Sequence, residues 1–445
     1  MGEILDFAES LWKGETDTYG HHPLSEPYGV DQVAERTWFV KHFANSIIRE
    51  TDDGLILVDP SGFFGGKIRF DIVRSVTSQR LHTAIYTHGH VDHCFGVQEY
   101  VEEARAKNWP LPQVIAHEDM PKRFQRYRET NGYNAIINMR QFMGGRVKIE
   151  FPSIFHLPDI VYRDRLIIKV GGVEAVLRHA RGETDDHTWI FYPDTRVLCT
   201  GDLFFWCVPN AGNPQKVQRY CQDWAIAFRE MMALEPKVLL PGHGWPIMGV
   251  DRVKQALDES AAVLETIYSR TIDLMNQGAT LDQIIHTVEV PQNLLDRPYL
   301  HPVYDEPEFI VRNIWRLNAG WYDGTPSHLK PASEKEQALE IAKLAGGPGK
   351  LVDRAQALAE EGNFRLACHL ADWAYLAANE DVSICQKTGE IYASRAAIEK
   401  STMAMGIYMA ASKTMKEQGM EKTEEMSGES PAVVQAQDER GQKES

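Results

Sequence analysis

The 445-residue sequence predicts an α/β fold followed by an all-α region. Three observations carry that prediction. Short apolar runs divided by Gly, Asp and Pro turns recur between Thr37 and Asp251, in two strand-rich halves each ending in a helix-like stretch. Four metal-ligand side chains crowd into Thr87-His88-Gly89-His90-Val91-Asp92-His93, directly after one such run. Beyond Asp251 the strand patterns stop and helical periodicity takes over.

In chain order, residues 1–35 are polar and read as loop, with Gly20-His21-His22-Pro23 as a turn cluster. Residues 37–40, 46–50 and 55–59 read as strands, the last two joined by Thr51-Asp52-Asp53-Gly54 as a hairpin. A helix around residues 70–78 precedes a strand at 83–87 and the histidine-rich turn. Residues 98–107 read as helix and 113–116 as strand. Residues 121–143 form a polar insertion whose Arg123, Arg126, Arg128 and Arg140 suit either a solvated helix face or a local cationic patch. The second half repeats the pattern with strands at 165–170, 174–179, 188–192 and 197–200. A helix at 222–234 then leads to a strand at 237–240 and the turn Pro241-Gly242-His243-Gly244.

Helices are expected at 253–277 and 281–287, followed by a loop-rich aromatic stretch at 298–331. Residues 334–416 are rich in Ala, Leu and Glu, broken by Gly346-Gly347-Pro348-Gly349. There Glu361-Gly362-Asn363-Phe364 marks a turn between two antiparallel helices. Residues 417–445 are polar and read as disordered. The expected division is therefore a catalytic domain at 1–252, a linker segment at 253–333, an all-α domain at 334–416 and an acidic tail at 417–445.

A formal charge of −16, from 47 Lys and Arg against 63 Asp and Glu, argues against nucleic acid and anionic membranes as partners. The six cysteines lack C-x-x-C spacing, which disfavours a disulfide framework or a thiolate zinc site. No basic leader and no apolar run long enough to span a bilayer is evident, so a cytoplasmic protein without integral membrane segments is expected.

In an extended turn, alternate residues aim to one side, so His88, His90 and Asp92 can converge, with His93 adjacent. Imidazole suits Zn²⁺, and the carboxylate supplies an oxygen ligand for a second ion. One turn fills only part of two coordination spheres. Glu183, Asp202 and His243, each beside glycine and each just after a strand, are the candidates for the remainder. Asp59, at its own strand end, is the candidate to orient a ligating imidazole. Asp185, Asp186, His187 and His179 are expected in supporting roles.

This pattern, H-x-H-x-D-H followed by G-E-T, G-D and G-H, resembles the metallo-β-lactamase superfamily. The resemblance implies a four-layer αβ/βα sandwich carrying two metal ions at one edge. Where that family normally has histidine this sequence has Glu183, the choice of its alkyl sulfatase branch, with an acidic residue, Asp202, 19 positions on. Gly320-Trp321-Tyr322-Asp323-Gly324 and residues 355–392 are similar to the linking segment and dimerisation domain of the same branch. The implied assignment places His88, His90 and Glu183 on one Zn²⁺ and Asp92, His93 and His243 on the other, with Asp202 bridging. Catalysis then falls to Asp92, Glu183 and Asp202 around a hydroxide formed at neutral pH. The implied substrate is an anionic, amphiphilic sulfate ester, and the implied assembly a homodimer through the helical region.

By alignment to that branch, Asn134, Arg140 and Asn210 are candidates for the anionic head. Phe204, Phe205, Trp206 and Trp321 are candidates for an alkyl channel, though each aromatic also suits a core. Two departures keep a lactone, thioester or phosphoester open as alternative substrates. Asp202 stands where glutamate is commoner, and residues 203–210 replace a polar run of Thr, His and Asn that ends in Arg-Gly. A sterol-carrier-like domain carried by many of those enzymes is not expected within these residues.

Overall fold

The structure is a computed structural model describing residues 2–146 and 149–427. Its first half runs α1 (Glu3–Lys13), β1 (Gly29–Ala34), β2 (Thr37–Lys41), β3 (Ser46–Thr51), β4 (Gly54–Val58), α2 (Gly66–Val76), β5 (Leu81–Ile85), α3 (Val97–Ala106), β6 (Gln113–His117), α4 (Met120–Glu129), α5 (Asn131–Met143) and β7 (Ile160–Tyr162). The second half adds β8 (Arg165–Val170), β9 (Val173–His179), β10 (Thr188–Tyr192), β11 (Val197–Phe205), α6 (Cys221–Met232), β12 (Val238–His243) and β13 (Ile247–Met248). Helices α7 (Val250–Asn276), α8 (Leu281–Ile285), α9 (Gln292–Leu295) and α10 (Pro307–Asn318) follow.

Strands β1 to β7 form one sheet in sequence order. Strands β13, β12, β11, β10, β9 and β8 form the second. The two-residue loop Asp52-Asp53 closes the β3–β4 hairpin, pairing Thr51 with Gly54. Helices α2 and α3 then carry the chain from β4 to β5 and from β5 to β6, which makes those pairs parallel. Every residue of β4, β10 and β11 is buried, as expected when both faces of a sheet are covered. Ile56, Val58, Ile85 and Ile115 share one core with Leu177, Ile190, Cys199 and Leu239 of the second sheet. Trp224 and Phe228 of α6 and Leu257 and Leu264 of α7 complete that core. The order is helix, sheet, sheet, helix, so the sandwich expectation holds.

Two stretches read as loop are helical. Helix α1 buries Ile4, Ala8 and Leu11, a single apolar face in a polar segment, and Gly14 ends it at φ 72°. Helix α10 lies within the aromatic stretch and buries Ile310, Val311 and Ile314, with Pro307 at its first turn.

Asp305, just before α10, is fully buried and accepts the backbone N–H groups of Gly212 (2.5 Å) and Glu306 (2.8 Å). Burial pushes its carboxyl up to about 8, against the pull of those amides. A raised folded-state pKa means that the native chain holds a proton the unfolded chain releases between about pH 4 and 8. Its stabilising contribution is therefore full below about pH 4 and lost as the pH rises toward 8. In urea titrations at pH 5 and pH 8, the wild-type midpoint is expected to fall relative to that of Asp305→Asn.

The chain divides into two compact units. One holds Met1–Asn134 and Phe151–Thr325; the other holds Ala135–Glu150 and the chain from Pro326. The second unit contains α11 (Glu334–Ala345), α12 (Pro348–Glu360), α13 (Phe364–Ala377), α14 (Val382–Ile398) and α15 (Thr402–Ser427). Ser333 and Glu336 form a capping box at the start of α11, and Gly346 ends it in the left-handed region. Ala367, Ala371 and Ala374 of α13 pack on Leu351, Ala355 and Leu358 of α12, joined by the expected turn at Gly362. Helix α15 extends through 427, so the first part of the expected disordered tail is helical; residues 428–445 lie outside the described residues.

Candidate metal centre

The site begins with Asp59, one residue past β4, whose φ of 49° is sparsely populated by non-glycine residues. That backbone aims its carboxylate at the turn after β5. Oδ1 accepts the Thr87 N–H (2.7 Å), while Oδ2 accepts the Thr87 hydroxyl (2.7 Å) and His93 Nδ1 (2.8 Å). Asp59 therefore fixes the imidazole of His93, one of the candidate ligands. On the far side of the turn the Gly89 N–H donates to Asp186 Oδ2 (3.0 Å). A Cβ at Gly89 would stand 2.6 Å from Arg123 Cδ and 2.9 Å from Asp186 Oδ2, so the fit excludes any larger residue.

The seven predicted ligands converge. His88, His90, Glu183 and Asp202 form one group, and Asp92, His93 and His243 another. In the first, His88 Nε2 lies 2.9 Å from His90 Nδ1 and 3.5 Å from Asp202 Oδ2, and His90 Nδ1 is 3.7 Å from Glu183 Oε1. In the second, Asp92 Oδ2 lies 3.5 Å from His93 Nε2 and 3.3 Å from His243 Nε2. Asp202 joins the groups, with Oδ1 3.2 Å from His93 Nε2 and Oδ2 3.2 Å from His243 Nε2. Gly242 permits this approach, because a Cβ there would fall 2.0 Å from Asp202 Oδ1.

These distances fit metal ions. Donor atoms bonded at about 2.0–2.2 Å to a tetrahedral ion stand about 3.3–3.6 Å apart. The imidazole orientations are more telling. His243 Nδ1 lies 2.6 Å from the Phe43 carbonyl and His93 Nδ1 lies 2.8 Å from Asp59, so each ring has its Nδ1 engaged and turns its Nε2 inward. Those two Nε2 atoms face each other at 3.3 Å, a separation that one shared cation would fit. Burial alone would push His243 down, yet Asp202 and Asp92 hold it up at about 9. Asp202 in turn is held well below the carboxylate range, against burial, by His243, His93 and His88. The cluster favours positive charge at its centre, which a bound divalent cation would supply.

The remaining predicted residues are less uniform. Asn210 is buried at the site, where its Nδ2 donates to Glu183 Oε1 at 2.6 Å. Asn134 is buried on α5, its amide donating to the Thr130 carbonyl (3.0 Å) and hydroxyl (2.8 Å). Arg140 is exposed on α5, within the segment that belongs to the helical unit. The cationic-patch reading fails for Arg123, which is buried and paired with Asp185 and with Asp186 (3.0 Å). Phe204 and Trp206 lie in the sandwich core, with the Trp206 indole N–H on the Trp245 carbonyl at 2.7 Å. Phe205 packs 4.9 Å from the His243 ring, and Trp321 is exposed.

Sequence reasoning missed Arg219, a buried side chain whose Nη1 stands 2.6 Å from Glu183 Oε1. It also missed Lys216, close enough to feel Asp92 and Glu183 and pushed down to about 7 by burial, with Arg219 adding to the effect. The loop after β4 was likewise unread: the Phe63 N–H donates to the Val91 carbonyl at 2.7 Å, and Phe63 and Phe64 are exposed beside the ligand turn. Phe43 stands edge-on to His243 with ring centroids 5.8 Å apart.

Comparison with known proteins agrees with this architecture. A linear primary-alkylsulfatase of Pseudomonas sp. (strain ATCC 19151) is 25% identical over 354 residues, covering 75% of this chain and 66% of that protein. An (R)-specific secondary-alkylsulfatase of Pseudomonas sp. is 24% identical over 409 residues, covering 82% of this chain and 59% of its relative. The chain thus spans less than two thirds of either relative. The solved structure of the stereoselective inverting sec-alkylsulfatase Pisa1 from Pseudomonas sp. superposes with a TM-score of 0.79 at 21% identity, over 88% of this chain and 66% of that one. Among the described residues no helix is long and apolar enough to cross a membrane. Residues 41–243 match the metallo-beta-lactamase superfamily and residues 280–418 the alkyl sulfatase dimerisation family, so the chain joins a domain of the first to a domain of the second.

Proposed function

We propose that the protein is a binuclear zinc hydrolase of sulfate esters bearing an alkyl tail, working as a homodimer through its helical unit. The observation that carries this reading is Asp202, whose two oxygens lie within 3.5 Å of imidazole nitrogens from both ligand groups. When bound, the divalent cations supply Lewis acidity and hydroxide at neutral pH. The chain's own residues do the rest. His88, His90 and Glu183 would hold one ion and Asp92, His93 and His243 the other, with Asp202 available to both groups. Asp59 keeps His93 in the ligating tautomer. Arg219 and Lys216 place positive charge beside the carboxylates, where an anionic head needs it. The alkylsulfatase relatives and the dimerisation match support the substrate and the assembly.

Purified protein is expected to contain about two zinc ions per chain and to release sulfate from dodecyl sulfate. A zinc-free protein, or a zinc protein inert toward alkyl sulfates of every chain length, would refute the assignment. Sedimentation at micromolar concentration is expected to give a dimer. A lactone, thioester or phosphoester substrate is the second reading, favoured by Phe204, Phe205 and Trp206 standing where alkyl sulfatases carry a polar run and by the Asn210 amide already bonded to Glu183. A panel of those esters alongside dodecyl sulfate separates the two.

Phe63 and Phe64, exposed and anchored to the ligand turn through Val91, form the apolar lip that would receive the tail. Replacing both by serine is expected to raise KM for dodecyl sulfate about tenfold, the worth of about two methylenes at about 0.8 kcal/mol each, with kcat little changed. The loss should shrink for shorter alkyl sulfates, which steady-state kinetics across chain lengths would reveal.

A further inference from the structure

We infer that Arg219 is the positioning residue that makes a carboxylate workable as a metal ligand at position 183. The inference rests on the metal assignment above and extends it to a side chain outside the ligand set. Glu183 and Arg219 are both buried, at 5% and 2% exposure. Oε1 of Glu183 takes two donors at 2.6 Å, Arg219 Nη1 and Asn210 Nδ2. The same Nη1 also lies 3.0 Å from the Asn210 carbonyl oxygen, so the guanidinium and residue 210 brace each other around the carboxylate. Glu183 Oε2 is buried on the side of Asp202, away from the two donors on Oε1.

The charge argument is independent of the contacts. A histidine ligand is neutral, whereas glutamate adds a negative charge to a cluster that already holds Asp92 and Asp202. A buried carboxylate that loses its partner is strongly destabilising, because the charge that remains is neither hydrated nor compensated. Arg219 restores the balance and fixes the orientation of Glu183 with a planar, permanently charged group. Its ion pair with residue 183 has a reason with glutamate there that it would lack with histidine.

A double-mutant cycle tests this with zinc content as the readout. Wild type, R219M, E183H and the double variant E183H/R219M are equilibrated with zinc against graded chelator, and bound metal is measured by elemental analysis. R219M alone is expected to weaken zinc binding about 10- to 100-fold, the usual effect of losing an outer partner of a ligand. In the E183H background the same change is expected to cost less than about threefold. R219K, which keeps the charge but not the fork, should fall between wild type and R219M with Glu183 present. Equal losses in both backgrounds would show Arg219 to be merely structural and overturn the inference, as would no loss in either. Should R219M fail to fold by circular dichroism, the comparison is carried by R219K in the two backgrounds, with equal effects again overturning it. If wild type takes up no zinc, the functional assignment falls together with this inference; if it binds zinc and the cycle shows no coupling, only the inference falls.

Discussion

Replacing Asp202 with alanine is expected to cut sulfate-ester turnover more than about 100-fold and to lower the zinc content of the purified protein. Loss of an outer partner of a metal ligand already costs about 10- to 100-fold, and Asp202 is proposed to touch both ions directly. Its carboxylate faces His88, His93 and His243, all buried, and no other acidic residue reaches both ligand groups among the described residues. Without it, three imidazoles and the two proposed cations would lose the charge that draws them together. Asp202→Glu keeps that charge and should retain much more metal than the alanine variant. Elemental analysis beside dodecyl sulfate kinetics decides the matter. An alanine variant with wild-type zinc content and turnover within tenfold of wild type would remove Asp202 from the mechanism.

The largest expected effect on stability comes from Arg123→Ala. Arg123 is 2% exposed, and its partner Asp186 is fully buried, with Nε to Oδ1 at 3.0 Å. Asp186 also accepts the Gly89 N–H through its other oxygen, so the arginine supports the turn that carries His88 and His90. Removing one member of a buried pair leaves an unpaired charge and costs about 3–5 kcal/mol. A lower urea midpoint for unfolding of the sandwich is the expected result. Combining Arg123→Met with Asp186→Asn should be milder than Arg123→Ala alone, because neither charge is then stranded. A single variant as stable as wild type would show that the pair contributes nothing.

Much of this architecture was legible because its signals are local. Alternating and continuous apolar runs marked ten of the thirteen strands among the described residues, all but β1, β7 and β13, and Thr51-Asp52-Asp53-Gly54 marked the hairpin that positions Asp59. The histidine-rich turn announced itself by the density of ligand side chains after residues 83–87. Glu183, Asp202 and His243 were readable because each adjoins a glycine near the end of an apolar run, although Asp202 lies inside β11 and His243 ends β12. What escaped lacked a local signature. Arg219 lies far from any ligand in sequence, and only the fold brings its guanidinium to Glu183. Helix α1 buries just Ile4, Ala8 and Leu11, too few to stand out in a polar segment. Helix α10 was hidden by the aromatic and proline content around it. Sequence does not distinguish a lining ring from a core ring, so the aromatic run 204–206 suited a channel as well as the favoured core position, and Phe204 and Trp206 are core.

The assignment of residues 135–150 to the helical unit bears on how the chain can be made. Lys413 Nζ bonds the Gly145 carbonyl at 2.7 Å across a separation of 268 residues, and the Gln141 carbonyl lies where a Cβ on Gly406 would sit. On a ribosome adding roughly 5–20 residues each second, the earlier strand of this clasp emerges roughly 10–50 s before its mate. During that interval the face that later meets α15 stays open while the second half of the sandwich is being synthesised. A stop codon placed at the end of the sandwich would make the wait permanent, so a fragment ending near Thr325 should precipitate where the longer chain stays in solution.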